Sequence, residues 1–189
     1  MKVISAEFVK GISGTDDILA DGIPNIAFIG RSNVGKSSLL NALVGKKELA
    51  RVGVKPGKTT EINFFLINKT HYFVDLPGYG YAAASQKDRE KLRRHIVWYF
   101  TSAEVHPKKV VLILDSSAGL TKFDEQMIQV LKEQEYPYLL VVNKVDKLSQ
   151  KELSQQIAKI KASIGDSDIM KTSVKTGRGI DELRDALFD

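Results

Sequence analysis

Eight residues, Gly30-Arg31-Ser32-Asn33-Val34-Gly35-Lys36-Ser37, combine two glycines, a lysine and a terminal hydroxyl in the order G-x-x-x-x-G-K-S. They follow the apolar run 26–29 and precede Ser38-Leu39-Leu40-Asn41, so the spacing predicts a strand, a tight loop and a helix start. In such a loop, successive backbone N–H groups curl around phosphates while the helix N-terminus adds partial positive charge. Gly30 and Gly35 allow close backbone approach. Lys36 is placed to reach β- and γ-phosphates, and the Ser37 hydroxyl to ligate Mg²⁺, with Ser38 next in line on the nucleotide. Without its flanking strand and helix, the same pattern would be a glycine turn with an incidental lysine.

Three further clusters fall at the carboxyl ends of apolar runs, the edge where open α/β sheets bind ligands. His71-Tyr72-Phe73-Val74-Asp75 leads into Leu76-Pro77-Gly78, a D-x-x-G turn. There Asp75 would hold Mg²⁺ through water and the Gly78 N–H would sense a γ-phosphate, making Lys36 and Gly78 the catalytic candidates. Asn143-Lys144-Val145-Asp146 reads N-K-x-D. The Asp146 carboxylate can accept from guanine N1–H and the exocyclic amine together. Adenine offers neither donor and would leave the carboxylate unpaired, so the pattern selects GTP. Lys144 can lie along the base, and Asn143 can bridge it to the phosphate loop. Ser173-Val174-Lys175 would turn backbone N–H groups toward guanine O6. Between the first helix and the D-x-x-G hairpin, the long segment 45–61 contains Pro56-Gly57-Lys58-Thr59-Thr60-Glu61. Loops of this length are functional or disordered. A threonine there, Thr59 in preference to Thr60, could join Mg²⁺ only while a γ-phosphate is present and so act as a switch.

The elements that must position these groups alternate along the chain. The patterning predicts strands at 24–29, 62–67, 71–75, 109–114, 138–142 and 168–172, and helices at 36–44, 86–101, 123–134, 150–164 and 179–188. Residues 1–22 read as a short strand and then loop, an N-terminal extension packed on a GTP-binding domain of residues 23–189. The expected fold is therefore α/β of the P-loop NTPase type: a mainly parallel six-stranded sheet with helices on both faces. The short turn at 68–70 forces a hairpin and so one antiparallel edge strand.

Composition narrows the class further. At 189 residues, 43% hydrophobic and 27% charged, the chain suits a single globular domain. Its aliphatic runs are far too short to span a bilayer, and polar residues interrupt the N-terminus too early for a signal-peptide core. A cytoplasmic, monomeric protein with no membrane partner is expected. The absence of cysteine removes disulfides, thiolate metal sites and cysteine nucleophiles. The net charge of +5 is local, since residues 46–60 carry +4 and residues 87–94 carry +3. His71, His95 and His106 have no metal-binding spacing.

The order G-x-x-x-x-G-K-S, P-G-x-T, D-x-P-G, N-K-x-D and S-x-K resembles the translation-factor-related P-loop GTPases over residues 24–188. The wording G-R-S-N-V-G-K-S-S-L-L-N-A-L, P-G-K-T and V-D-L-P-G-Y-G-Y-A is similar to the EngB (YihA/YsxC) family of bacterial TrmE-Era-EngA-EngB-Septin-like GTPases. That resemblance implies a role in assembly of the large (50S) ribosomal subunit, a requirement in cell division and septation, and Mg²⁺ ligation by Ser37 and Thr59. It also implies slow hydrolysis without a partner, because Tyr79 stands where Ras-like enzymes carry a water-orienting glutamine. Asn33 occupies the position where some related GTPases help bind K⁺, against a purely structural role in the loop.

Lys87, Arg89, Lys91, Arg93 and Arg94 follow the second motif and precede Trp98, Tyr99 and Phe100. We expect the aromatics in the core and the cations on rRNA phosphates. A nucleotide-gated RNA- or ribosome-binding module with minor hydrolysis is the alternative function. A small P-loop kinase would need an arginine-bearing lid and an acceptor site that the sequence does not offer.

Overall fold

The computed structural model describes residues 2–50, 61–80, 85–102, 104–165 and 168–188. Among them, seven strands form one sheet: β1 (Ala6–Ile12), β2 (Asn25–Gly30), β3 (Ile62–Ile67), β4 (His71–Asp75), β5 (Lys109–Asp115), β6 (Tyr138–Asn143) and β7 (Ile169–Lys171). Five helices connect them: α1 (Lys36–Val44), α2 (Gln86–Thr101), α3 (Lys122–Glu133), α4 (Gln150–Ile164) and α5 (Ile180–Phe188). The strand order is β1-β3-β4-β2-β5-β6-β7. β2 pairs in parallel with β4 on one side and β5 on the other, and the parallel run continues through β6 and β7. Successive connections therefore diverge from β2, and the crevice beyond its carboxyl end is the topological switch point of the sheet.

The α/β class and the helices on both faces are as expected, but the sheet has seven strands rather than six. β1 pairs antiparallel with β3, which is itself antiparallel to β4. The one reversed strand is thus an inner strand, and the edge belongs to β1. Sequence alone missed this because β1 reads AEFVKGI, whose interior is largely exposed and lacks an apolar alternation. Only its ends, Ala6 and Ile12, are buried.

Alternate residues of β2 sort the core into two layers. Ile26 and Phe28 pack with Leu39, Leu40 and Leu43 of α1 and Leu183 and Leu187 of α5. Ala27 and Ile29 face the opposite layer with Ile96, Tyr99 and Phe100 of α2, Met127 and Leu131 of α3, and Leu153 and Ile160 of α4. Strands buried on both faces explain their unbroken apolar runs. Each fully buried aliphatic or aromatic side chain contributes about 1.5–3 kcal/mol. Capping boxes start α3 and α4: Thr121 with Asp124, and Ser149 with Glu152. The described residues contain no helix long and apolar enough to cross a membrane.

Candidate nucleotide-binding site

The loop from Gly30 to Lys36 joins β2 to α1 at the switch point. Asn33 and Gly35 both adopt left-handed backbone, at φ 66° and 96°. Gly35 is the N-cap of α1 with no side chain to cap it, so the first N–H groups of the helix remain directed at whatever lies in the loop. A Cβ at Gly35 would also lie 2.6 Å from the Asn143 amide nitrogen, so glycine is required there twice over. Val34 is buried under the loop, Asn33 is exposed at its crest, and Ser37 and Ser38 are half-buried in the first turn of α1.

Lys36 is buried, and its ammonium donates to a carboxylate oxygen of Asp75, also buried, at the end of β4. Register accounts for this: Asp75 is level with Phe28 of β2. The Asp75–Gly78 turn then doubles back onto the phosphate loop. The Ser32 hydroxyl donates to the Gly78 carbonyl at 2.9 Å, and the Ser32 N–H to the Tyr79 carbonyl at 2.7 Å. Arg31 and Tyr79 form a parallel bridge. A Cβ at Gly78 would come within 3.1 Å of the Ser32 backbone, so the two loops are in close backbone contact. Leu76 and Pro77 are buried beneath the turn. On the β3 side of Asp75, a cleft of about 520 Å³ is lined by Glu48, Glu61, Asn63, Phe65 and Pro77.

The third and fourth motifs arrive on β6 and just after β7. Asn143 is buried and donates to the Val34 carbonyl at 3.0 Å while accepting from the Thr172 hydroxyl at 3.1 Å. It therefore fastens the phosphate loop to the far half of the sheet. Lys144, at φ 61°, arches over the loop, with its ammonium on the Asn33 carbonyl and 2.8 Å from Asp115. Burial pushes the Asp115 carboxyl up, but the Lys144 ammonium and the Ser117 N–H outweigh it and hold the group below the ordinary range. Val145 is buried, and Asp146 stands exposed. The Ser173 hydroxyl donates to the Asp146 carboxylate at 2.6 Å and is the main cause of its lowered pKa. Ser173 is buried, while Val174 and the exposed Lys175 form the following turn. The sheet thus brings all four described motifs to one rim. Gly57, Lys58, Thr59 and Thr60 lie outside the described residues, so the structure does not place the switch threonine.

Several residues of this rim gave no sequence signal. Thr172 orients Asn143, Asp115 receives Lys144, and the Ser116 hydroxyl donates to the Lys144 carbonyl at 2.8 Å. Asn41 pins the start of the loop after α1, exchanging hydrogen bonds with the Ala50 backbone at 2.7 and 2.8 Å. Thr172, Asp115 and Ser116 lie just outside a recognisable motif, Asn41 lies inside the extended loop wording with no role readable there, and only the fold gives them partners.

Tyr79 turns inward, away from the loops that its backbone joins. Its ring is buried and packs edge-on against Phe123 at 4.5 Å, and its hydroxyl donates to the fully buried Asp124. Burial, together with the adjacent Asp124 charge, pushes the phenol well above its usual range. The side chain that would be compared with a water-orienting glutamine is therefore engaged elsewhere.

On α2, Lys87, Lys91, Arg93 and Arg94 are exposed and Arg89 is half-buried. The Arg93 guanidinium lies 5.0 Å over the Phe123 ring. Tyr99 and Phe100 are in the core as expected, but Trp98 is only half-buried and lines a surface groove.

A doubly wound sheet with a G-x-x-x-x-G-K-S loop, a D-x-x-G turn and an N-K-x-D motif on one rim defines a P-loop GTPase. A family model described as 50S ribosome-binding GTPase matches residues 25–144, and one described as Elongation factor Tu GTP binding domain matches residues 102–189. The probable GTP-binding protein EngB of Aquifex aeolicus is 42% identical over 85% of this chain and 87% of its own length. That of Clostridium perfringens is 41% identical over 100% and 97%. The crystal structure of a probable GTP-binding protein engB superposes with a TM-score of 0.74 at 28% identity, covering 87% of this chain and 96% of that one. Aquifex aeolicus Era bound to GDP and aluminium fluoride shares the fold, with a TM-score of 0.64 at 22% identity over 87% of this chain and 56% of that one. The chain belongs to the EngB family of GTP-binding proteins.

Proposed function

We propose that this GTPase is a switch that binds the large (50S) ribosomal subunit or its precursor in the GTP state and is released on hydrolysis. A requirement in normal cell division and septation belongs to the same reading, as does a cytoplasmic location. The observation that carries it is the lacing of the Asp75–Gly78 turn onto the phosphate loop through Ser32 and Tyr79. A γ-phosphate gripped by that loop would bear directly on the turn, and the turn leads into the basic helix α2. The family description supports the choice of particle.

In this reading Gly30–Ser38 cradle the phosphates, Lys36 neutralises developing charge, and the Gly78 N–H meets the γ-phosphate. Asp146 reads the guanine edge, Lys144 covers the base, and the 173–175 turn closes on it. Mg²⁺ suits the donor set, which offers the Asp75 carboxylate at the end of β4 and the Ser37 hydroxyl, the residue that follows Asp75's partner Lys36 in the chain. Such sites take one or two protein oxygens and complete the shell with water and phosphate. Bound there, the ion would neutralise charge on the β- and γ-oxygens. Ser37 and Thr59 are its proposed direct ligands, and Asp75 acts through water. A K⁺ contribution at Asn33 predicts faster turnover in K⁺ than in Na⁺ buffer.

Sedimentation with purified ribosomal subunits, loaded with GDP or a non-hydrolysable GTP analogue at two salt concentrations, tests the proposal. Comigration with the large subunit only in the GTP-like state, weaker at high salt, is expected. Free migration in both states overturns it. The buried Tyr79 side chain favours a second reading, a nucleotide-gated binding module in which hydrolysis is minor. Single-turnover hydrolysis unchanged by subunits would support that reading over the first.

A further inference from the structure

We propose that the groove between α2 and the turn after β1 is a subsite for an unpaired nucleotide of single-stranded RNA. This rests on the ribosome-directed reading above and supplies its contact surface. The groove has a volume of about 400 Å³ and is lined by Ser13 and Thr15 on one wall and Lys91, Arg94, His95 and Trp98 on the other. The four α2 residues are spaced three, four and seven apart, so they form one stripe along the helix. The buried side of α2 is carried by Ile96, Tyr99 and Phe100.

Each part of the stripe matches one part of a nucleotide. The Trp98 and His95 rings stack at 5.6 Å and 29°, giving the groove a flat aromatic wall. Lys91 and Arg94 are exposed cations beside it, and Ser13 and Thr15 are exposed on the other wall, where their hydroxyls can serve phosphate oxygens. The carboxylate next to Thr15, Asp16, is paired with Lys10 at 2.8 Å and so does not cancel this charge. Sequence-tolerant single-strand binding uses this combination of cations for the backbone and rings for the bases, and a duplex cannot present a base to a groove wall. An acidic protein segment would satisfy the cations but leave the aromatic wall unused. Arg93, although next to Arg94, is committed to the Phe123 ring and lies outside the subsite.

Trp98 is the only tryptophan in the chain, so its fluorescence reports this groove. The protein, saturated with a non-hydrolysable GTP analogue to fill the nucleotide site and hold the particle-binding state, is titrated with a single-stranded RNA octamer, the same octamer as a duplex, and an acidic octapeptide. Saturable quenching by the single strand alone is expected, with affinity falling as salt rises. Lys91→Glu and Arg94→Glu should each weaken binding about tenfold. The corresponding alanine changes should each lower the slope of log K against log salt by about 0.7. Lys151→Ala, at an exposed lysine on α4, should leave both quantities unchanged. By anisotropy of labelled RNA, Trp98→Ala should lose about tenfold and Trp98→Phe much less. The charge reversals sit on exposed side chains and keep the test decisive should Trp98→Ala fail to fold. Absent quenching, quenching indifferent to Lys91 and Arg94, or quenching by the peptide or duplex in place of the single strand overturns the subsite. Comigration with the large subunit alongside absent quenching would sink the groove and spare the ribosomal reading. Quenching without comigration would do the reverse.

Discussion

Asp146 is an exposed carboxylate with one fixed partner, the Ser173 hydroxyl, which leaves its other oxygen for a base. A hydrogen bond to a charged acceptor is worth about 1.5–3 kcal/mol, and guanine offers two. Asp146→Ala should therefore weaken GDP binding about 100-fold or more while ADP, already excluded, binds no worse. Competition binding against labelled GDP checks this, and equal losses for both nucleotides would remove Asp146 from base recognition. His71 supplies a pH signature of folding. Burial first, and then the Lys108 charge, hold its pKa below the ordinary 6.5. The unfolded chain therefore takes up the proton at higher pH than the folded one. Stability from this group is complete above about pH 6.5 and is lost as pH falls from there through the folded value. Thermal melts from pH 7.5 to 5 should fall less steeply for His71→Gln than for the parent chain.

At the scale of elements, the site depends on loops locked to one another across strands that are distant in sequence. Gly35→Ala places a methyl against the amide that holds the Val34 carbonyl, and does so at φ 96°. We expect it to dislodge Asn143 and lower affinity for GDP and GTP together, because the phosphate cradle rather than the base pocket deforms. A selective loss of GTP alone would contradict that. Tyr79 couples the second loop to α3 through Asp124, whose other oxygen accepts from the Thr121 N–H at 2.7 Å and hydroxyl at 2.6 Å. Tyr79→Phe removes one of three donors to a buried carboxylate. It should cost about 1–3 kcal/mol, read as a lower urea midpoint at unchanged slope. Because the hydroxyl is buried on Asp124 of α3 rather than facing the phosphate loop, single-turnover hydrolysis by the folded variant should be unaltered. A large drop would place that hydroxyl at the reaction.

Across the whole molecule, β1 shields what would otherwise be the open edge of an inner strand. Its buried ends, Ala6 and Ile12, pair with Ile67 and Ile62, and Phe8 lies 5.7 Å from the Phe65 ring. The Lys46 ammonium also donates to the Ala6 carbonyl, tying the strand to the loop beyond α1. Deleting residues 2–12 would bare a row of backbone donors and acceptors beside an apolar face. The truncated chain should melt about 10 °C lower and self-associate on size exclusion. A melt within 2 °C of the full chain would show that β1 is an ornament of the sheet.

The nucleotide motifs and the alternation of strands and helices were legible in the sequence because both are local. A phosphate loop is specified by eight consecutive residues, and five of the six expected strands and all five helices rest on unbroken apolar runs or amphipathic stripes. The short β7 and the mostly exposed β1 carry the weakest patterns, and β1 becomes part of the sheet only through pairing with β3. The guanine side of the site was likewise readable as residue types, but the arrangement that makes it a site was not. Asn143 on Val34, Lys144 between Asn33 and Asp115, and Ser173 on Asp146 join residues 27 to 111 positions apart. The inward turn of Tyr79 and the separate fates of Arg93 and Arg94 were likewise decided only by tertiary packing. A side chain's partner across the fold depends on strand order and helix placement, which no local pattern encodes.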